Sequence, residues 1–229
     1  MKKTLLFLAL ACASLSATAQ QTTPATAPSA APAGYTDLMA AAVKELYRTG
    51  DPVQLKELAS KFERASAAAP ADWLPAYHRA YALLIATFQG KESSDVKDKN
   101  LDQAEASLAQ ARKLKGDESE LLVLQAYIHQ ARLGINPMAR SGKYSPQIKE
   151  ALDQAKKLNP ANPRIYLVQG NQLYFMPKMF GGGADVAKPV FEEAKVRFAA
   201  ARPASPLLPA WGERQVLSRL KSYEAQAAK

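Results

Sequence analysis

Residues able to do chemistry are sparse among these 229. Two helical histidines or carboxylates share a metal when they stand four apart on one face. No His, Asp or Glu lies four residues from His78 or His129, so each reads as a packing or surface residue. Ser93-Ser94-Asp95 sits in a polar stretch with no histidine beside it, and no Gly-x-Ser-x-Gly elbow exists. Phe180-Gly181-Gly182-Gly183 has the glycines of a phosphate cradle, but no Lys-Ser/Thr follows it and no strand pattern precedes it. It is expected to be a turn, folded back onto the helices by Met176, Pro177, Met179 and Phe180. Glu192-Glu193 and Asp117-Glu118 are adjacent pairs and point to different helix faces. They read as caps and solvated faces, not as an acid–base couple. The expectation is a chain with no catalytic residues, no metal and no cofactor, hence not an enzyme.

The elements that would position these residues begin after a leader. Lys2 and Lys3, the apolar run Leu5–Ala13 and the small-x-small site Ala17-Thr18-Ala19 make residues 1–19 a secretory signal. The mature chain is then expected to start at Gln20 and to be exported, periplasmic or secreted. Cys12, the single cysteine, has two open readings: a small apolar residue lost with the leader, or a lipidated cysteine, in which case the chain would touch a membrane. Cleavage at Ala19 leaves no thiol for a disulfide or a zinc site. Without Lys2 and Lys3 the chain has 28 basic and 21 acidic residues, +7, dispersed along helices rather than clustered. That pattern is a solvated surface and excludes a nucleic-acid footprint.

Residues 20–34 are rich in Thr, Pro and Ala and read as a tether. From Tyr35 to the C-terminus the apolar spacing is helical, with no strand alternation. Nine helices are expected, over about 36–48, 52–68, 72–89, 99–115, 118–133, 146–158, 163–176, 185–201 and 207–226. Asp51-Pro52, Ser145-Pro146, Asn162-Pro163 and Ser205-Pro206 each set a capping side chain before a proline, and Asp117 with Glu120 forms a capping-box pattern. A register mark recurs: a helix-ending Pro or Gly followed ten residues later by a small residue, at Pro70/Ala80, Gly116/Ala126 and Pro160/Gly170. It returns one residue off register at Pro203/Gly212. Such self-similarity signals a helical repeat array.

The spacings Leu58-Phe62-Ala65-Pro70, Ala104-Leu108-Ala111-Gly116 and Ile148-Leu152-Ala155-Pro160 resemble the tetratricopeptide repeat, as does Ala187-Phe191-Ala194 with a late Pro203. The likeness spans residues 36–226 and implies an all-α solenoid of helix-turn-helix units. The units are longer than the usual 34 residues, with the excess in A-to-B turns at 89–100, 134–145 and 177–189. Pro70–Tyr77 and Leu208–Arg214 also resemble secreted bacterial repeat proteins.

In that family the inner face of each A helix lines a concave groove. The resemblance carries this role to Tyr77, Tyr81, Tyr127, Gln130, Arg164, Asn171, Tyr174 and Glu213. Tyrosine offers a flat apolar body with a polar tip, suited to gripping a peptide. Two readings stay open for the tyrosines: a groove wall, or packing between helices. The expected function is an exported scaffold that takes a protein or peptide partner in the groove, without nucleic acid or metal. The alternative is an accessory subunit of an envelope complex, held through its A-to-B turns.

Overall fold

The computed structural model describes residues 31–227. The expected leader, Cys12 and most of the tether lie outside them. The described residues are all-helical: α1 (Tyr35–Leu46), α2 (Pro52–Ala68), α3 (Leu74–Gln89), α4 (Ser94–Lys113) and α5 (Glu118–Ile135). After these come α6 (Pro137–Leu158), α7 (Pro163–Phe175), a 3-10 turn (Lys178–Phe180), α8 (Ala184–Ala200) and α9 (Glu213–Ala227).

Local signals explain several starts. Asp51 accepts from the Val53 N–H at 2.8 Å, Asp117 from Glu120 at 3.0 Å and Asn162 from Arg164 at 3.0 Å. Each satisfies a backbone donor that the first turn leaves without a helical partner. Two expected starts are corrected. Ser145-Pro146 caps nothing: α6 begins nine residues earlier, behind Asn136-Pro137, with Asn136 accepting from Ala139, and runs through Pro146. Ser205-Pro206 starts no helix; Ser205 Oγ accepts from Leu207 N, turning the chain into an extended segment that reaches α9 only at Glu213. The extra residues of each unit therefore lie where the A-to-B turns were expected, but many are wound into α4 and α6.

Consecutive helices pack as antiparallel pairs, α3 with α4, α5 with α6 and α7 with α8. The first helices of the pairs also touch in sequence, α3 to α5 and α5 to α7. Small residues permit this approach. A methyl group added at Gly170 on α7 would lie 2.7 Å from the Phe191 ring of α8. Phe62, Leu84, Leu108, Leu124, Ile148 and Phe191 fill the spaces between helices and are fully buried. Arg132 of α5 staples α4 through Asp98, Asp102 and Glu105, and Arg140 of α6 joins at Asp98.

Candidate binding cleft

The inner faces of α3 and α5 carry Tyr77, Tyr81 and Tyr127 of the expected tyrosine row, and the chain itself covers part of it. Between α8 and α9 the segment 201–212 crosses α3. His78 Nε2 donates to the Leu207 carbonyl at 2.7 Å. That assigns the ring proton to Nε2 and leaves Nδ1 to accept from the Tyr47 hydroxyl at 3.3 Å. Tyr47 in turn accepts weakly from Ala210 N. At the end of this strap Trp211 is 2% exposed. Its indole stacks on Tyr81 (centroids 4.8 Å, planes 24° apart) and on Tyr127 (5.6 Å, 20°). Its Nε1 donates to the Tyr77 hydroxyl at 2.9 Å. Gly212, at φ +110°, lets the chain turn into α9; a β-carbon there would meet Leu167 and Phe198.

Beneath the strap lies a buried polar network. Tyr77 donates to Glu120 at 3.2 Å. Arg164 donates through Nε and Nη2 to the two oxygens of Glu120, and Asn162 donates to it at 2.9 Å. Arg164 also lies 5.7 Å from the Trp211 ring. Both charged side chains are only 10% exposed. Burial alone would lower the Arg164 pKa, but the Glu120 carboxylate outweighs it and raises it. The guanidinium stays charged.

Burial has the opposite sense for the imidazole of His78, whose pKa is lowered to about 4. The unfolded value is ~6.5, so between these pH values the unfolded chain binds the extra proton. The stability from keeping His78 neutral is complete above ~6.5 and is lost as pH falls through 4, a change of about 3 kcal/mol. Urea midpoints from pH 7 to 4 should therefore fall more steeply in the wild type than in His78→Gln; parallel curves would refute the assignment.

Beside the strap the concave side opens into a cleft of about 1950 Å³. This is roughly twice the 1,000 Å³ upper end of common ligand sites. Tyr81, Ile85 and Phe88 of α3 and Tyr127 and Leu133 of α5 form one side. Met138 and Pro146 of α6 and Phe175 of α7 form another, with Phe180 of the glycine turn at the rim. Gln215 and Arg219 of α9 close the far side. Met138, Phe175 and Phe180 are 94%, 72% and 68% exposed, large apolar groups held in water around one concavity. Pro146 provides no N–H for the Gly142 carbonyl one turn back, and both residues face the cleft.

Of the expected groove residues, Tyr81, Tyr127, Gln130, Asn171 and Glu213 line this cleft. Gln130 already donates to the Val168 carbonyl at 2.7 Å. Tyr77 and Arg164 do not reach it: they are buried under the strap, held by Glu120 and Trp211. Tyr174 is also placed elsewhere, half-buried against Tyr223 and beneath the Arg219 guanidinium, 4.0 Å from its ring centre. Among the wall residues absent from the expectation are Trp211, Phe88, Met138, Phe175 and Arg219. Trp211 stood in the Leu208–Arg214 motif, but a helix expected from 207 concealed the strap that delivers it.

No family model matches the chain, and neither does any curated protein sequence. A solved structure does: the HusA haemophore from Porphyromonas gingivalis, with a TM-score of 0.75 and 34% identity, over 85% of this chain and 96% of HusA. The chain belongs to the HusA family. A haemophore is a binding protein for haem, an iron tetrapyrrole. The expectation of a protein or peptide partner without metal is therefore corrected. The physical reason lies in the strap: the inner face that would have held a peptide is already occupied by the chain's own Leu207–Trp211. What remains open is a wide, aromatic-walled cleft rather than a strand-sized groove.

Proposed function

We propose that this HusA-family chain is an exported binding protein that carries haem in the cleft between α3, α5, α7 and α9. One observation carries the reading: a relative that is a haemophore, at 34% identity over 96% of its length, joined to a cleft whose walls are aromatic and apolar. The leader expected over residues 1–19 agrees with an extracellular carrier. The helix pairs are read as degenerate tetratricopeptide units, and the role is binding rather than catalysis.

The wall chemistry fits a flat macrocycle. Phe88, Phe175 and Met138 offer exposed apolar surface for the ring faces and edges, above a floor formed by the packed rings of Tyr81, Tyr127 and Trp211, whose edges reach the cleft. Aromatic stacking adds ~0.5–1.5 kcal/mol per pair beyond the area buried. Iron would supply a Lewis-acid centre. Its usual protein ligands are His, Cys, Met or Tyr. Neither His78 nor His129 lines the cleft. Burial raises the phenols of Tyr47, Tyr81 and Tyr127, so they stay protonated and poor as anionic ligands. Met138 and Met176 are the residues of these types left in the lining, and their thioethers would be the candidate iron ligands. Retention on this reading rests on the ring faces more than on the iron.

The mature chain should therefore bind both haem and iron-free protoporphyrin IX, with dissociation constants within about tenfold, ~1.4 kcal/mol. The Soret band and quenching of tryptophan fluorescence read both titrations. Failure to bind either at micromolar concentration would refute the function. Binding of haem alone would refute recognition through the ring.

A further inference from the structure

The arginines of this chain divide by what they hold. Arg79, Arg112, Arg132, Arg140, Arg164 and Arg197 each grip a carboxylate. Arg214 and Arg219, the two arginines of the cleft lining, have no acidic side chain within 4.0 Å among the described residues, and of the two Arg219 is the one held on aromatic rings. Its guanidinium lies 4.0 Å from the centre of the Tyr174 ring and 5.6 Å from that of Phe175. Stacking of this kind fixes the plane of the guanidinium and leaves its N–H edges free to donate. The group also senses the cleft electrostatically: its positive charge opposes the rise of the Tyr127 phenol on the facing wall.

The surrounding face of α9 is built for the same end. Gln215, Arg219 and Ser222 recur at helical spacing and line the cleft, continuing from Trp211 at the end of the strap. Gln215 is committed to the wall: its carbonyl accepts from Tyr127 at 3.1 Å and its amide points at Tyr81 at 3.5 Å. Ser222 spends its proton on the Arg219 carbonyl at 2.6 Å. Arg219, with the exposed Arg214 and Ser218 beside it, is thus what α9 presents for donation into the cleft. The lining holds a single carboxylate, Glu213, on the first residue of the helix.

We infer that Arg219 is the specificity-determining residue of the cleft, donating to the carboxylate edge of a flat apolar ligand whose faces lie against the aromatic walls. This rests on the haem-binding reading and deepens it: the propionate edge of the tetrapyrrole faces α9, on the side of the cleft where Arg219 lies against Tyr174 and Phe175. A guanidinium pairs with a carboxylate through two parallel N–H···O bonds, and desolvation by aromatic walls strengthens them.

The test uses protoporphyrin IX and its dimethyl ester, titrated in one detergent-containing buffer into the wild type, Arg219→Gln and Arg219→Lys. The wild type should prefer the diacid by about tenfold or more, as expected for one charge-assisted hydrogen-bonded pair. Arg219→Gln should lose that preference while binding the ester as the wild type does, which also shows the cleft intact. Arg219→Lys should keep part of it, since a point charge remains without the planar fork. An unchanged diacid-to-ester ratio in Arg219→Gln, or equal binding of both porphyrins by the wild type, overturns the inference and leaves the haem-binding reading standing. A wild type that binds neither overturns both.

Discussion

Glu120→Ala is expected to destabilise the chain by about 3–5 kcal/mol, the cost typical of removing one partner from a buried ion pair. Alanine would leave Arg164 nine-tenths buried with no carboxylate, and would also remove the acceptor of Tyr77 and Asn162. The pair's attraction does little more than offset its own desolvation; the loss arises because the remaining charge has nowhere to go. Two further variants separate these effects. Glu120→Gln keeps the shape and an amide acceptor and should lose less. Glu120→Leu combined with Arg164→Leu removes both charges and should recover much of the stability. Denaturant midpoints followed by circular dichroism, with an unchanged m-value, measure all three. A Glu120→Ala loss below about 1 kcal/mol, the level of an exposed pair, would mean that water reaches the site.

Trp211→Ala should cost a similar amount, about 3–5 kcal/mol for a large aromatic cut from a packed site, and should also weaken porphyrin binding by tenfold or more. The indole is held by stacks on Tyr81 and Tyr127 and by its bond to Tyr77. Its loss would leave a void between α3, α5 and the strap, and would remove part of the cleft floor. Trp211→Phe distinguishes the contributions. It retains an aromatic ring for stacking but not the N–H, so stability should fall by about 1 kcal/mol while porphyrin affinity stays near that of the wild type. Circular dichroism must follow the unfolding, because Trp73 alone would remain to fluoresce. Wild-type stability in Trp211→Ala would show that the strap is not anchored there.

Both predictions concern contacts between residues far apart in the chain, and that separates what could be read early from what could not. The caps at Asp51, Asp117 and Asn162 were legible because each side chain reaches a backbone N–H only two or three residues away. Asn136-Pro137 carries the same signal as the starts that were expected, yet the more distal Ser145-Pro146 stood in for it. Proline inside a helix was the reason: the general rule stops a helix there, whereas α6 runs through with Gly142 one turn back. Ser205-Pro206 failed differently. Its hydroxyl does cap a turn, but Leu207 and Trp211 gain more from burial against α3 and α5 than from continuing as helix.

Helical periodicity by itself determined the all-α class and the common face of Tyr77 and Tyr81, because side chains three and four residues apart share one side of a helix; the place of Tyr127 beside them came from the repeat resemblance. Only the tertiary structure decided what covers that face. Trp211 meets Tyr77 across 134 residues, and no local spacing encodes such a meeting. It follows from where the strap lands on α3 and α5, and that landing makes Tyr77 core and leaves Tyr81 and Tyr127 lining the cleft.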